Sequence, residues 1–437
     1  MGKKQLILVP SSSMDSNKKK DRNENGLVRM SATARDNMGF IDDSVELWPD
    51  KCSTEDRMNK AVLLGIFHAF KGDIKQLKGM IRSGELTEAE AKRVGFVTTK
   101  TYNRICGNST TGSVWISKDI SDTVIGSDPE FVIVDPNDHS RILFASDYLP
   151  KNGQIGHDAP LAEIRPKPEI SPEALVANMT GIFSDKKLTK AISEFTWLAG
   201  CYFEDPNRQY TTGTHIHVGN PKQLVKSSSE VRNSFYKVMN KILDELLALP
   251  MIKADGSEGP KRRTKKSVYT GYGFYGGFRT EHGRLEHRTL SGMAMLHPML
   301  TVAVFGTAKA IIDEAFRRAG DSKFDGAYIL PSKFRRRGLW KPEFNEWDEI
   351  PLANDMQCIT GSEKMLKLLT SSDSRAISAP FLRKWYTKLR SMSTYNEYSK
   401  YIDGLYEILK IKTKELTGWD RRIKKNWLEK KKFIVNF

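Results

Sequence analysis

Polar and apolar residues alternate along the middle of the chain with a period of two, which is the period of a β-strand whose two faces differ. This alternation predicts strands over residues 122–134, 141–145, 160–166, 195–203, 212–219, 268–279 and 283–290. Apolar residues recur at helical spacing elsewhere and predict helices over 171–194, 226–248 and 294–319, and over most of 362–432. The combination predicts an α+β protein.

The N-terminal part of the chain has a weaker pattern. Residues 11–26 are polar and rich in Ser, Asn and Lys, which predicts a mobile loop. Short strands are predicted at 27–30 and 44–48, with a short helix at 32–38 between them. These elements suit a small β-containing subdomain at 1–50, or half of a swapped-hairpin or double-psi barrel.

Residues 51–120 are predicted to form a helical segment. Apolar residues from Met58 to Ile81 recur every three or four positions, as on one face of a helix. Thr87 is followed three positions later by Glu90, the pattern of a capping box at a helix N-terminus.

Four predicted strands each place charged or metal-ligating side chains on a single face. These side chains are Asp128 and Glu130, Glu163 and Arg165, His215 and His217, and Arg284, Glu286 and Arg288. A solvent-exposed sheet face could give the same alternation. However, acids clustered without compensation repel one another, and a bound cation removes that repulsion. Hard oxygen ligands predict Mg²⁺, and an imidazole in the set is compatible with Mn²⁺ as well.

Arginines lie on the same predicted faces as the acids. A guanidinium presents a fixed fork of donors that matches phosphate or carboxylate oxygens. Arg165, Arg284 and Arg288 beside carboxylates and a divalent metal therefore predict phosphoryl transfer. An internal ion-pair ladder is the alternative for Arg284, Glu286 and Arg288.

A basic stretch at 261–266, which contains Arg262 and Arg263, precedes a glycine- and aromatic-rich stretch at 269–279. Together they predict a flexible anion-binding loop whose aromatic rings could stack on adenine. The same composition suits nucleic-acid binding, or a basic loop that leads into a glycine-rich hairpin without a ligand.

The overall charge is strongly positive. Lys and Arg number 69 against 53 Asp and Glu over 437 residues, a net charge of +16, which favours an anionic partner. Part of it lies in a C-terminal basic run, 421–432, which predicts a solvated helix face or a nucleic-acid contact. The four cysteines form no Cys-x-x-Cys pair, which favours a cytoplasmic location, and neither a membrane span nor a secretory signal is predicted.

The order of these motifs resembles the carboxylate–amine ligase superfamily that contains glutamine synthetase and glutamate–cysteine ligase, and most of all its members encoded by tailed bacteriophages. The likeness covers residues 122–320, a catalytic core assigned to 121–320, and leaves 321–437 as a mostly helical basic region. It rests on an acid-x-acid strand, a Glu strand, a His-x-His strand, an Arg-x-Glu-x-Arg strand and a following helix. The resemblance implies a curved, mainly antiparallel sheet, backed by helices, that binds ATP and Mg²⁺.

The resemblance also implies roles for single residues. The metal ligands it implies are Asp128, Glu130, Glu163, His215 and Glu286. His217 is implied to contact phosphate, and Arg279 to contact the nucleotide or substrate. Arg284 and Arg288 are implied to contact the ATP phosphates or an acyl phosphate. We add Arg165 to the catalytic set, and Arg262 and Arg263 to the cofactor-binding set, from their positions beside these motifs.

The leading prediction is an ATP-dependent ligase that joins a carboxylate to an amine through an acyl phosphate. Its substrates would be small molecules or peptides, or a phage or host protein. The alternatives are a structural or nucleic-acid-associated phage protein that keeps the ligase fold, and a small-molecule kinase of the guanidino type on the same fold.

Overall fold

A computed structural model describes residues 4–11, 27–30, 34, 44–49, 62–68, 71–99, 102–103, 113–117, 123–206, 208–219, 228–264, 273, 276–281, 284–331, 334, 348–359, 361–429 and 432–433. The chain divides into two compact units, Met1–Asp122 and Thr123–Phe437. The second unit contains the predicted catalytic core together with the predicted C-terminal region.

The N-terminal unit is a closed barrel of six strands. Their order around the barrel is β1-β5-β2-β4-β3-β6, and the pairs β1–β5 and β2–β4 are parallel. The strands are β1 Lys4–Pro10, β2 Leu27–Met30, β3 Ser44–Pro49, β4 Val62–His68, β5 Val94–Val97 and β6 Ser113–Ser117, and the helices are α1 Lys71–Ser83 and α2 Glu88–Ala91. Val9 and Phe96 pack with Leu77 of α1 in the hydrophobic core of this unit.

The barrel corrects the predicted helical character of residues 51–120 at its three strands, 62–68, 94–97 and 113–117, whereas the predicted helices that include Leu77 and follow Thr87 are confirmed as α1 and α2. Residues 62–68 form strand β4, paired on both edges, because an uninterrupted apolar run of this length fits a buried strand as well as a helix. The predicted strands at 27–30 and 44–48 are confirmed, and so is the capping box of Thr87 with Glu90. Ser11 is buried and donates to Asp73, and residues 12–26 of the predicted loop lie outside the described residues.

The second unit is built on antiparallel sheets. One has the order β10-β11-β8-β12 with β9 beside β8, the other has the order β16-β17-β15-β7, and β13 pairs with β14 in a separate hairpin. The strands are β7 Ile125–Gly126, β8 Glu130–Val134, β9 Ile142–Leu143, β10 Ile155–Asp158, β11 Leu161–Ile164, β12 Thr196–Leu198, β13 Tyr202–Glu204, β14 Gln209–Thr211, β15 Ile216–Val218, β16 Phe278–Glu281 and β17 Arg284–His287. The α+β class with a mainly antiparallel sheet is therefore confirmed.

One interrupted strand joins the two larger sheets. The strand predicted over 122–134 breaks between β7 and β8, where Pro129 has no N–H to give to a ladder. The Ser127 hydroxyl donates to the carbonyl of His215 at 2.6 Å, and the N–H of Glu130 donates to Gly213 at 2.9 Å. The break therefore stays attached to the segment that leads into β15, and it places Asp128 at the junction of the sheets.

Helices cover the second unit. They are α3 Pro172–Ser184, α4 Ser229–Leu243, α5 Leu249–Asp255, α6 Gly259–Thr264, α7 Pro298–Asp321, α8 Gly326–Ile329, α9 Pro351–Met356, α10 Ser362–Ser371, α11 Ala379–Arg390, α12 Tyr395–Lys410 and α13 Thr413–Thr417, with a π-helical segment at Asp244–Ala248. Helix α7 is buried along most of its length and packs against α3 and α12. Its Gly306 lies against the ring of Tyr401, where a Cβ would clash with the ring. Among the described residues, no helix is both long and apolar enough to cross a bilayer.

Candidate functional site

The four strands that carry the predicted chemistry are neighbours in the second unit. Glu130 of β8 lies opposite Glu163 of β11, and His217 of β15 lies opposite Glu286 of β17. Gly126, just before the strand break, is also paired with His217. The alternation of each strand therefore brings its polar side chains to a shared site.

The centre of the site is a cluster of acids and imidazoles. Asp128 Oδ1 lies 2.9 Å from His215 Nδ1, and Asp128 Oδ2 lies 3.3 Å from His217 Nε2. Glu286 Oε1 lies 3.5 Å from His215 Nδ1. One ligand atom from each of Asp128, His217 and Glu286 lies within 4.8 Å of the others, so these three residues could hold one metal ion.

Two atoms of this cluster behave as ligand atoms would. Oδ1 of Asp128 and Nε2 of His217 are buried, and within the described part of the chain neither makes a hydrogen bond of acceptable geometry. Buried polar atoms normally have a partner, and a cation would supply one. Two carboxylates with one imidazole suit Mg²⁺ or Mn²⁺, so the residues fit the predicted metal.

The electrostatics of Asp128 and His215 agree with a charged pair. Burial works to raise the pKa of Asp128, but His215 and His217 outweigh it and hold the pKa well below its usual range. Burial works to lower the pKa of His215, and the negative charges of Asp128, Glu130 and Glu286 raise it above its ordinary value. Excess negative charge at the site therefore attracts a proton, and a cation would be attracted in the same way.

A further pair of acids lies beside this cluster. Burial, then the charge of Asp128, raises the pKa of Glu163 to about 8, although Arg165 opposes the shift from 2.8 Å. Glu130 is buried, and its Oε2 accepts the N–H of Gly213 at 2.8 Å. The repulsion predicted between clustered acids is thus present in the structure.

Two of the predicted arginines contact these acids directly. Arg288 Nε lies 3.1 Å from Glu286 Oε1, and Arg165 contacts Glu163 and donates to the carbonyl of Gly153 at 3.2 Å. Arg284 begins β17 and is half-buried, and Arg279 of β16 is exposed and paired across the ladder with Glu286. The Glu286–Arg288 contact is one step of the ion-pair ladder held open as an alternative.

The part of the chain that carries this site is similar to a known protein family. Residues 125–327 match the model of a family described as phage phiEco32-like COOH.NH2 ligase-type 2. The match confirms the predicted family over this segment. We call residues 125–327 the ligase-family segment, and it contains every residue of the predicted site.

The chain matches no curated protein. Among 34 solved chains that match is a bifunctional glutathione synthetase from Pasteurella multocida, at 14% identity and a TM-score of 0.35, over 70% of this chain and 51% of that chain. The chain thus spans about half the length of that relative.

Arg262 and Arg263 lie in the ligase-family segment but not in a loop. They belong to α6 and are almost completely buried. Arg262 donates to the carbonyls of Thr212, Thr289 and Leu290 at 3.2, 2.9 and 2.9 Å. Arg263 contacts Asp255 at 3.1 Å and donates to the carbonyl of Gly273 at 2.6 Å. These contacts contradict the prediction that the two arginines bind the cofactor, because they hold the protein backbone instead.

Asp244 is a buried residue beside the site that the sequence pattern missed. In the sequence Asp244 lies within the helix predicted over 226–248, and nothing distinguishes it there from a surface acid. Its place beside the site is evident only from its contact with His287. His287 points away from Glu286, as alternation along β17 requires, since its ring is fully buried and its Nε2 lies 2.9 Å from Asp244 Oδ1.

The C-terminal basic run contacts protein groups in its described part. Arg421 pairs with Glu258 at 2.9 Å, and Arg422 pairs with Asp420 at 2.7 Å. Lys424 donates to the carbonyl of Phe195 at 2.8 Å and lies over the ring of Trp197. Much of this charge therefore serves internal contacts, and nucleic-acid binding stays a prediction.

Proposed function

We propose that the protein is an ATP-dependent carboxylate–amine ligase that forms an amide through an acyl phosphate. The observation that carries the proposal is the convergence of Asp128, His217 and Glu286 on one cation site, with Arg288 held against Glu286. The matched family supports it, because its name describes ligation of a carboxyl group to an amino group.

The reaction divides into two transfers. A carboxylate oxygen of the substrate attacks the γ-phosphorus of ATP, so that an O–P bond forms and ADP leaves. The amine nitrogen then attacks the acyl carbon, the C–O bond to phosphate breaks, and the nitrogen loses a proton. Asp128, His217 and Glu286 would hold Mg²⁺ or Mn²⁺, and the bound ion would neutralise charge on the phosphates of ATP.

The arginines act on the transferred group. Arg288 and Arg284 of β17 would hold phosphoryl oxygens, where a guanidinium fork stabilises charge that develops during transfer. Arg165, anchored by Glu163, would orient the opposite side of the group, and exposed Arg279 would contact the nucleotide. Each of these residues binds or orients, which is most of what phosphoryl transfer requires of a protein.

The amine is proposed to belong to a larger molecule rather than to be ammonia, because no acids suited to an ammonium ion are identifiable in the sequence. A peptide, or a phage or host protein in the cytoplasm, would fit this role. Both cysteines that the structure describes, Cys201 and Cys358, are free and buried, as suits a reducing compartment.

The test is release of ADP from ATP and Mg²⁺ in the presence of candidate acid–amine pairs. Wild type is expected to release ADP, and Glu130→Ala and Glu286→Ala are expected to lose this activity. Asp373→Asn, in an exposed pair with Arg375, is the control and should behave as wild type. Unchanged release in both glutamate variants would refute the assigned site. A stable phosphorylated product without amide would favour the kinase alternative.

A further inference from the structure

The side chain of Asp244 contacts β17 and the segment before β16 on the face opposite the site. It begins the π-helical segment that continues α4, and its side chain is fully buried. Its Oδ1 lies 2.9 Å from His287 Nε2 and accepts from the hydroxyl of Thr289, and its Oδ2 accepts the N–H of Gly276 at 2.7 Å. One carboxylate therefore binds three groups in or next to β16 and β17.

Two of these groups alternate with residues of the site. His287 and Thr289 face the helices, whereas their neighbours Glu286 and Arg288 face the site. Gly276 precedes β16, which is paired along β17. A shift of the Asp244 side chain would therefore be transmitted to Glu286 by the stiff backbone of one short strand.

We infer that Asp244 is a positioning residue that sets the placement of β17, and so aims Glu286 at the bound cation and Arg288 at the phosphoryl oxygens. This role rests on the metal site of the proposed function, and it assigns no contact between Asp244 and the cation or the substrate. Single π-helical turns inside α-helices are frequently found at functional sites.

The chemistry of the three contacts makes the role testable. A carboxylate has two oxygens that accept hydrogen bonds, whereas an asparagine amide has one oxygen and an NH₂ that only donates. Asp244→Asn must therefore turn its NH₂ either toward His287 and Thr289 or toward the N–H of Gly276. If the NH₂ faces Gly276, the N–H of Gly276 loses its acceptor, and if it faces His287 and Thr289, both of those groups must accept a hydrogen bond instead of donating one. In either orientation a contact that holds a strand of the site is lost or reversed.

Glu245 provides a matched control. It is the next residue of the same π-helical segment and is equally buried, but its Oε1 accepts the N–H groups of Cys358 and Ile359 at 2.7 and 2.9 Å. Glu245→Gln thus perturbs a buried acid on the same segment through contacts to a different part of the unit.

The experiment measures Mn²⁺ affinity of the full chain by electron paramagnetic resonance, without ATP or substrate. Asp244→Asn is expected to bind Mn²⁺ about tenfold more weakly than wild type, as is usual when a group that supports a metal ligand is lost. Glu245→Gln is expected to bind as wild type does. Thr289→Val, which removes one of the three donors, is expected to fall between them and serves if Asp244→Asn does not fold.

The outcomes separate the two hypotheses. A folded Asp244→Asn with wild-type Mn²⁺ affinity would overturn the positioning role alone, as would an equal loss in Glu245→Gln. If Asp244→Asn does not fold, wild-type affinity in Thr289→Val would overturn it. A wild type that binds no Mn²⁺ would overturn the proposed metal site and this role with it.

Discussion

Replacement of Arg262 by methionine separates a structural role from a cofactor-binding role. The guanidinium is fully buried and donates to three carbonyls, two of them just after β17 and one, Thr212, just before β15. Methionine fills similar space but donates nothing, so three buried hydrogen bonds are lost, although each carbonyl keeps a second donor, from Gly292, Arg263 or Thr214. At about 1 kcal/mol for each hydrogen bond lost, Arg262→Met should lower the free energy of unfolding by about 3 kcal/mol.

Urea unfolding followed by tryptophan fluorescence measures this loss. Arg208→Met is the control, because Arg208 is exposed and lies over the ring of Phe144 at 5.1 Å, and a change of less than about 0.5 kcal/mol is expected there. The affinity of folded Arg262→Met for ATP should equal that of wild type. Wild-type stability together with weakened ATP binding would refute this reasoning and restore the cofactor-binding prediction.

Three further changes test other parts of the second unit. The pKa of Glu163 is raised from 4.5 to about 8, so the folded metal-free protein keeps a proton that the unfolded chain releases, and its stability should fall as pH rises across this range. Glu163→Gln should remove that part of the dependence in urea unfolding, and an unchanged pH slope would contradict the assignment. Ser127→Ala loses the hydrogen bond to the carbonyl of His215 and should lower the free energy of unfolding by about 1 kcal/mol in the same assay. Wild-type stability would show that this hydrogen bond does not stabilise the strand break. Gly306→Ala places a methyl group against Tyr401 and should lower the free energy of unfolding by about 1–3 kcal/mol, and with it the thermal midpoint. A wild-type midpoint would mean that α7 and α12 can move apart to admit the methyl group without loss of stability.

The period-two pattern predicted the candidate site as far as the chemistry follows the strands. Which face a side chain takes is a local property of a strand, so the amino-acid sequence shows which polar side chains of each strand share a face. It does not show which imidazole meets the acids, and His217, predicted to contact phosphate, lies in the group with Asp128 and Glu286, for which His215 was the predicted ligand. The interruption at Pro129 changed the ladder but not the grouping, because the break remains tied to the segment before β15.

The features that the sequence did not predict depend on partners distant in the chain. The partners of Arg262 are carbonyls, and every residue type carries a carbonyl, so no pattern marks them. Asp244 is likewise defined by strands that follow it in the chain. The pattern at β4 predicts a helix wrongly because a short apolar run has the same composition in a buried strand and in a helix.

The packing of helix α7 ties the ligase-family segment to helices that lie beyond it in the chain. That segment includes α7 but ends before α12, which covers α7 and presses Tyr401 against Gly306. It also ends before Trp427, whose indole N–H donates to the carbonyl of Met295 and whose ring packs against Phe183. A fragment cut at residue 327 would keep every candidate ligand yet expose a long apolar helix to water. Transplantation of the chemistry into another protein would therefore have to carry the C-terminal helices with it.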